Sequence, residues 1–461
     1  MSNKRRTTAI WLTSTCAIAS TLVVACGPSS GETGAGADIG PAASLPSAPG
    51  GGSESVARTD GGVWSFGGEE IPMHRRWGRP PPDASSDAPL DASSDGSDAN
   101  QPDSGTARQE GGSTLEGGSS TLALHVSGNR LVDASNTPLV LRGADVSGTE
   151  FVCAQNYTAD PYGGAPLASV ATFEAMHAWN INVIRLPLNE DCWLGINGVE
   201  VGGGAYQSAI EAEVSAAHEA GLFVIIDLHW TAPGSQRALS QNPEPDADHS
   251  PAFWTSVAST FASDPGLIFD LFNEPYDYWG TDPDPWNGWL NGDVQTQYVT
   301  GGSPYQVTAQ WKTAGMQQLV TAVRAAGASQ PILVNGLDWA NDDSGWLTHV
   351  PSDPLGQLIA GAHIYPGEAC DTVSCWSGIF PGIGEKYPVL IGETGDSSAG
   401  PVTFLPTFLA YADPQGWNYL AWTWNPWQDS SNILVTDWAG TPTAGQGAAW
   451  RSHVLAFPFQ N

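Results

Sequence analysis

From residue 122 to the C-terminus, short runs of β-forming residues alternate with longer helical stretches, and this alternation limits the fold more than any other feature. Candidate strands lie at residues 138–142, 183–188, 222–228, 267–272, 331–337, 358–363, 388–393 and 418–424. Amphipathic segments at 168–179, 209–220, 252–262 and 309–326 lie between them. Several strand runs, such as Phe223-Val224-Ile225-Ile226, are apolar on both faces. Parallel strands covered by helices have that character. Eight strand–helix units in ~340 residues fit an α/β fold, a (β/α)8 TIM barrel. A doubly wound open sheet is the competing architecture, but no Gly-rich phosphate turn follows the first strand. Ahead of the barrel, 122–132 reads as a small hairpin over Ser127-Gly128-Asn129.

The chain before residue 121 has a different character. Lys4, Arg5 and Arg6 precede a short apolar stretch over 9–24, which ends at Val23-Val24-Ala25-Cys26. This is the anatomy of an export signal with a lipobox, in which Cys26 becomes lipidated after cleavage. An ordinary secretory cleavage nearby is the alternative. Either way the protein is expected to be exported, as an envelope-anchored lipoprotein or in secreted form. Residues 27–120 are rich in Gly, Ser, Ala, Pro and Asp, with near-copies at 83–89 and 91–95. Such a segment buries too little apolar surface to offset its ordering entropy. It reads as a disordered linker, with one island over 63–79 carrying Trp64, Phe66, Ile71 and Trp77. The division is therefore leader 1–26, linker 27–120 and catalytic barrel 121–461.

A net charge of −32 argues against a nucleic-acid partner, which needs clustered Lys and Arg. The 20 Trp residues point the other way, toward flat apolar contacts with a ligand.

Barrel active sites lie at the C-terminal ends of the strands. Those ends carry Arg185, then Asp227, His229 and Trp230, then Asn273, Glu274 and Pro275. His363 with Tyr365, Glu393, and Trp422 with Trp424 follow. Any one of these has a structural reading, since a buried Arg pairs with carboxylates and a lone His often serves packing. Their convergence exceeds what packing requires, because unpaired buried charge is costly.

Glu274 and Glu393 stand three βα units apart, so they face each other across the barrel mouth. Paired carboxyls with aromatic platforms are what glycoside hydrolysis needs. Two acids in different environments take different roles. A metal site is the alternative for such a cluster. The His residues show neither HxH nor HExxH spacing, so neither metal nor cofactor is expected.

At this point a family comes into view. Gly143-Ala144-Asp145, Ile184-Arg185-Leu186-Pro187, Asp227-Leu228-His229, Phe269 to Pro275, His363-Ile364-Tyr365 and Ile391-Gly392-Glu393 occur in order. In these pieces the chain from about residue 122 resembles glycoside hydrolase family 5, the cellulase family. The resemblance implies Glu274 as general acid/base and Glu393 as nucleophile of a retaining double displacement. It implies that Asn273 binds the sugar 2-hydroxyl, that Arg185 pairs with Glu393, and that Tyr365 donates to the nucleophile or ring oxygen. His363 would support the acid/base, and His229 would line the floor of the reacting subsite. Trp424 would stack under the reacting sugar, with Trp422 the second candidate.

Other features leave readings open. The stretch 276–305 carries Trp279, Trp286, Trp289 and Tyr298, which either floor a sugar groove or fold the loop on itself. Asp338 to Asp342 touches sugar or caps the barrel, and Glu190 is a third carboxylate candidate. Of six Cys, Cys16 lies in the leader and Cys26 is the lipid site. The remaining four permit three pairings, of which Cys153–Cys192 and Cys370–Cys375 are favoured. The expected protein is a monomeric, surface-tethered β-glycanase acting on a polysaccharide or oligosaccharide, with endo-β-1,4-glucanase the first reading. A mannanase, another hemicellulase or an exo-β-glycosidase is the alternative within enzymes. A non-catalytic carbohydrate-binding lipoprotein is the alternative outside them.

Overall fold

The computed structural model describes residues 63–66, 69–72, 122–156, 169–277, 283–293, 296–300, 306–427 and 432–461. The leader, most of the stretch read as a linker, Trp279 and the side chain of Tyr298 lie outside the described residues. Within the island, Val63–Phe66 pairs antiparallel with Glu69–Pro72.

Eight parallel strands close into a barrel. They are β1 (Arg142–Asp145), β2 (Val183–Asn189), β3 (Phe223–Trp230), β4 (Leu267–Asp270), β5 (Ile332–Asn335), β6 (Leu358–Ile364), β7 (Val389–Thr394) and β8 (Asn418–Ala421). β8 pairs back onto β1. The covering helices include α1 (Val170–His177), α2 (Glu190–Leu194), α3 (Gly204–Glu219), α4 (Ser250–Thr260), α5 (Pro285–Asn291) and α6 (Met316–Ala325). α7 (Val373–Gly384), α8 (Leu405–Gln415) and α9 (Gln446–Val454) complete the ring. The expected barrel is thus the observed one.

Three local expectations shift. The first barrel strand is Arg142–Asp145, not 138–142. Pro138–Leu139 instead pairs with Arg130–Asp133, which pairs with Leu124–Ser127, in an antiparallel sheet. Proline has no N–H for a central ladder, so it takes the edge. The helix expected over 309–326 shortens to α6, because Gln306–Trp311 pairs with Thr296–Thr300. Between β5 and β6 there is only the 3-10 turn Trp346–Thr348 and a kinked turn over Leu337–Ala340. Pro351 and Pro354 stand where a covering helix would run, and proline breaks helix interiors.

Alternation along the strands sorts the barrel interior into layers. Val183, Phe223, Ile225, Ile268, Leu333, Ile359, Leu390 and Leu420 form one buried cluster with Leu124, Val126, Leu131 and Leu139 of the antiparallel sheet. That sheet therefore plugs the N-terminal mouth. Two residues further along the same strands come Arg185, Asp227, Asp270 and Asn335, all buried. The interior changes from apolar floor to polar ceiling within one repeat. Phe223 is fully buried between plug and floor. Phe223→Ala is expected to destabilise the barrel by ~3–5 kcal/mol in denaturant unfolding, the usual loss for such a cavity.

Candidate active site

Arg185 on β2 stands at the centre of the polar layer and is fully buried. Its Nε donates to Asp270 Oδ2 at 2.9 Å. Its Nη1 donates to Asp145 Oδ1 at 3.0 Å and to Glu393 Oε1 at 2.8 Å. Its Nη2 donates to Asn273 Oδ1 at 2.7 Å and lies 3.1 Å from Asp227 Oδ2. The guanidinium thus makes four hydrogen bonds and one further ion pair, to Asp227. One positive charge cannot balance four carboxylates in a dry interior. Burial pushes Asp145, Asp227 and Asp270 well above the ordinary carboxylate range, and the charge of Arg185 pulls each of them back down.

Glu274 follows β4 and is buried. Burial raises its carboxyl to about 7. It shares a 2.8 Å hydrogen bond with His363 Nδ1, through Oε1. Burial lowers His363 to about 3, so the ring is neutral. Its Nε2 has no partner among the described residues. An orphaned N–H costs more than an orphaned lone pair, so we assign the proton to Nδ1, which donates to Glu274. The acid's own proton then sits on Oε2. Gly392 on β7 makes this packing possible, since a Cβ there would lie 2.9 Å from His363 Nε2.

Glu393 is the next residue on β7. Its Oε1 takes the Arg185 contact, and its Oε2 accepts from the Tyr365 hydroxyl at 2.9 Å. Burial, then the charge of Glu393, push the Tyr365 phenol well above its usual value, so it remains a donor. One carboxyl oxygen of Glu274, one of Glu393 and a ring nitrogen of His363 lie within 4.8 Å of one another. Retaining glycosidases hold their carboxyls about 5–5.5 Å apart, whereas inverting ones leave roughly 6.5–9.5 Å for a water.

Asn273 has its Oδ1 held by Arg185, and its carbonyl accepts from Asn335 Nδ2 at 2.9 Å. Among the described residues its Nδ2 has no hydrogen-bond partner. Asn335 also donates to Asp270 Oδ1 at 2.9 Å, so the two layers brace each other. Gly361 on β6 leaves room for this amide, because a Cβ would meet Asn335 Oδ1 at 2.0 Å. His229 bonds Asp227 Oδ2 through Nδ1 at 2.6 Å, and burial lowers its pKa.

Arg185, His229, Asn273, Glu274, His363, Tyr365 and Glu393 therefore gather in one cluster. Trp424 does not join them, and this corrects the sequence reading. It is fully buried and packs edge-on against Trp179, with centroids 4.7 Å apart. Trp422 is partly exposed instead and lies nearly parallel to His229, 17° between planes. β8 ends at Ala421, so strand alternation does not say which of the two Trp turns inward. A second platform is Trp339, which is 42% exposed. Its inner face stacks on Tyr276 at 4.3 Å, and its backbone N–H donates to Pro275 O beside Glu274. Asp338, Trp339 and Ala340 all hold positive φ, between 54° and 60°. Left-handed backbone at non-glycine residues costs energy and gathers at functional sites.

Trp286 and Trp289 resolve toward packing. Trp289 is buried and donates to Asn335 O, and Trp286 packs against Trp289 and His349. Glu190 is also outside the cluster. It starts α2, accepts from Ala232 N and Ser250 Oγ, and lies near Asp191 and His249. Among the described residues, Glu190, Asp191 and His249 form one group with spacing that suits a metal, and Glu274, His363 and Glu393 form the other. Both favoured disulfides are present. Cys153–Cys192 ties the loop after β1 to α2, and Cys370–Cys375 ties the loop after β6 to α7.

The family model described as cellulase, glycosyl hydrolase family 5, matches residues 132–428. The chain belongs to this family. A manganese dependent endoglucanase, Eg5A of Phanerodontia chrysosporium, is 27% identical over 235 residues, 49% of this chain and 53% of that protein. A mannan endo-1,4-beta-mannosidase of Streptomyces lividans is 22% identical over 319 residues, 66% of each chain. The chain thus spans about half the length of the first of these curated relatives. The beta-glucanase SdGluc5_26A of Saccharophagus degradans, solved with cellotetraose, superposes with a TM-score of 0.55 at 21% identity, over 76% of this chain and 98% of that one. That likeness is one of fold.

The two Trp residues separate by experiment. Trp424→Ala is expected to cost ~3–5 kcal/mol in chemical unfolding, as a fully buried aromatic does. Trp422→Ala is expected to leave the unfolding midpoint near that of wild type and to weaken binding of oligosaccharide in calorimetry.

Proposed function

We propose that this protein is a retaining β-glycosidase acting on a polysaccharide, with β-1,4-glucan cleaved within the chain as its first substrate. The observation that carries this reading is the pair of carboxyls, one on His363 and one on Arg185 and Tyr365, with their oxygens within 4.8 Å. Glu274, raised to about 7, gives its proton to the glycosidic oxygen as the C–O bond breaks. Glu393 attacks the anomeric carbon and forms a glycosyl ester. Glu274, now a carboxylate, takes a proton from water, which attacks the same carbon and releases Glu393. Inversion twice returns the β-anomer. Arg185 and Tyr365 hold Glu393 for attack, and Asn273 Nδ2 meets the sugar 2-hydroxyl. His229 and Trp422 form the floor of the reacting subsite. Trp339 offers a flat apolar face on the leaving side, beside Glu274.

The non-catalytic reading is not favoured, since both acids keep their supporting side chains. A mannan substrate is the second reading, supported by the Streptomyces lividans relative that matches 66% of this chain. Reducing-sugar release from carboxymethylcellulose, mixed-linkage β-glucan, mannan and xylan separates these readings. Glu274→Gln and Glu393→Gln are each expected to lower kcat by about 10²–10⁴-fold. Turnover that survives Glu393→Gln removes it as nucleophile. The pH profile follows from Glu274. Its proton is present below about 7 and lost above it, so kcat/KM falls as pH rises through about 7.

We further propose export and lipid anchoring at Cys26, on the leader's basic, apolar and Ala25-Cys26 segments. Cys26→Ser is expected to move the protein from the membrane fraction to the soluble one on immunoblots. Unchanged partition removes the anchor.

A further inference from the structure

The two catalytic acids are held by side chains of one short segment. His363 bonds Glu274, and Tyr365 bonds Glu393. Glu274 and Glu393 hold their spacing only if the backbone of 363–365 is held as well. β6 ends at Ile364, so Tyr365 lies past the ladder and its N–H needs another partner. That partner is Glu368, whose Oε2 accepts from Tyr365 N at 3.0 Å. The same oxygen accepts from Asn341 Nδ2 at 2.8 Å. Asn341 Nδ2 also donates to His363 O at 2.9 Å. Asn341 Oδ1 in turn accepts from Cys370 N at 2.7 Å, beside the Cys370–Cys375 disulfide. One carboxyl oxygen and one amide thus clamp the backbones of both residues that hold the acids. The clamp joins two loops, after β5 and after β6.

We propose that Glu368 and Asn341 form a single positioning unit that sets the spacing and the dryness of the Glu274–Glu393 pair. This rests on the retaining reading of that pair. Glu368 touches neither reacting atom, so it acts through His363 and Tyr365. The carboxyls that face it are Glu274, Glu393 and Asp338. Burial first, then Glu274, raise Glu368 to about 9, so it stands there as a neutral acid. A neutral acid can be replaced by an amide of the same shape. A small displacement of a reacting group is costly, on the order of 10²-fold in rate for about 1 Å.

The test uses the full chain with Glu368→Ala, Glu368→Gln, Asn341→Ala and the Glu368→Ala/Asn341→Ala double variant. Glu368→Ala is expected to lower kcat on the order of 10²-fold with little change in KM. Its alkaline limb is expected to move to lower pH, because water admitted beside Glu274 relieves the desolvation that raises it. Glu368→Gln keeps the acceptor and is expected to restore both kcat and the limb. The double variant is expected to be no worse than the poorer single, as for groups acting as one unit. The proposal is overturned by a wild-type rate and limb in Glu368→Ala, by equal damage from Gln and Ala, or by additive losses. If Glu368→Ala fails to fold, Glu368→Asp, one methylene short of both donors, takes its place. Carbon-13 carboxyl NMR follows Glu274 without turnover, assigned by its loss in Glu274→Gln. A wild type that hydrolyses no glycan overturns the retaining reading alone. A Glu274 midpoint unchanged in Glu368→Ala overturns the clamp.

Discussion

The site depends on one buried guanidinium. Arg185 reaches five acceptors from β1, β3, β4, β7 and the residue after Phe272, and so joins opposite walls of the barrel. Planar geometry lets one side chain fix several oxygens at once, which an ammonium does not do. Removing one partner of a buried ionic network leaves the rest uncompensated. Burial raises Asp145, Asp227 and Asp270, and the charge of Arg185 opposes that rise at each of them. The polar layer is therefore an ordered set of hydrogen bonds and ion pairs around one guanidinium.

That arrangement separates the two Glu residues chemically. Glu393 takes a hydrogen bond from Arg185, while Glu274, next to Asn273, takes none from it and meets a neutral His363. Desolvation without a direct cationic partner keeps a carboxyl protonated to higher pH, as at Glu274. Two identical side chains thus acquire different tasks from their surroundings alone. The outer parts refine this. His229 and Trp422 form a parallel pair, and the left-handed run at Asp338 to Ala340 presents Trp339.

Much of this is legible before folding because strand ends carry it. Asn273, Glu274, His363, Tyr365 and Glu393 stand at the ends of apolar runs and Arg185 inside one, and it is their convergence that exceeds what packing requires. Asp145, Asp227 and Asp270 carried the same signal, polar residues at inward positions of apolar strands, but without a role. Trp422 and Trp424 defeated the reading because both lie past the last ladder pair of β8. Alternation no longer applies there, and only packing against Trp179 decided which one is buried. The helix expected over 309–326 lost its first residues to a strand, since pairing with 296–300 outweighed local propensity.

The chain by itself determined the strand–helix alternation, the order of the acids along it and the family they belong to, because each of these is written in residues close together in sequence. It did not determine how the five N–H groups of Arg185 are shared. Nor did it determine which Trp meets solvent or that Glu368 finds Asn341 across two loops. The contacts of Arg185, and that of Glu368 with Asn341, join residues 27 to 208 positions apart, and Trp424 packs on Trp179 from still further along the chain. They exist only once the barrel closes and water is excluded, because only then must every buried donor and charge find its partner in the protein.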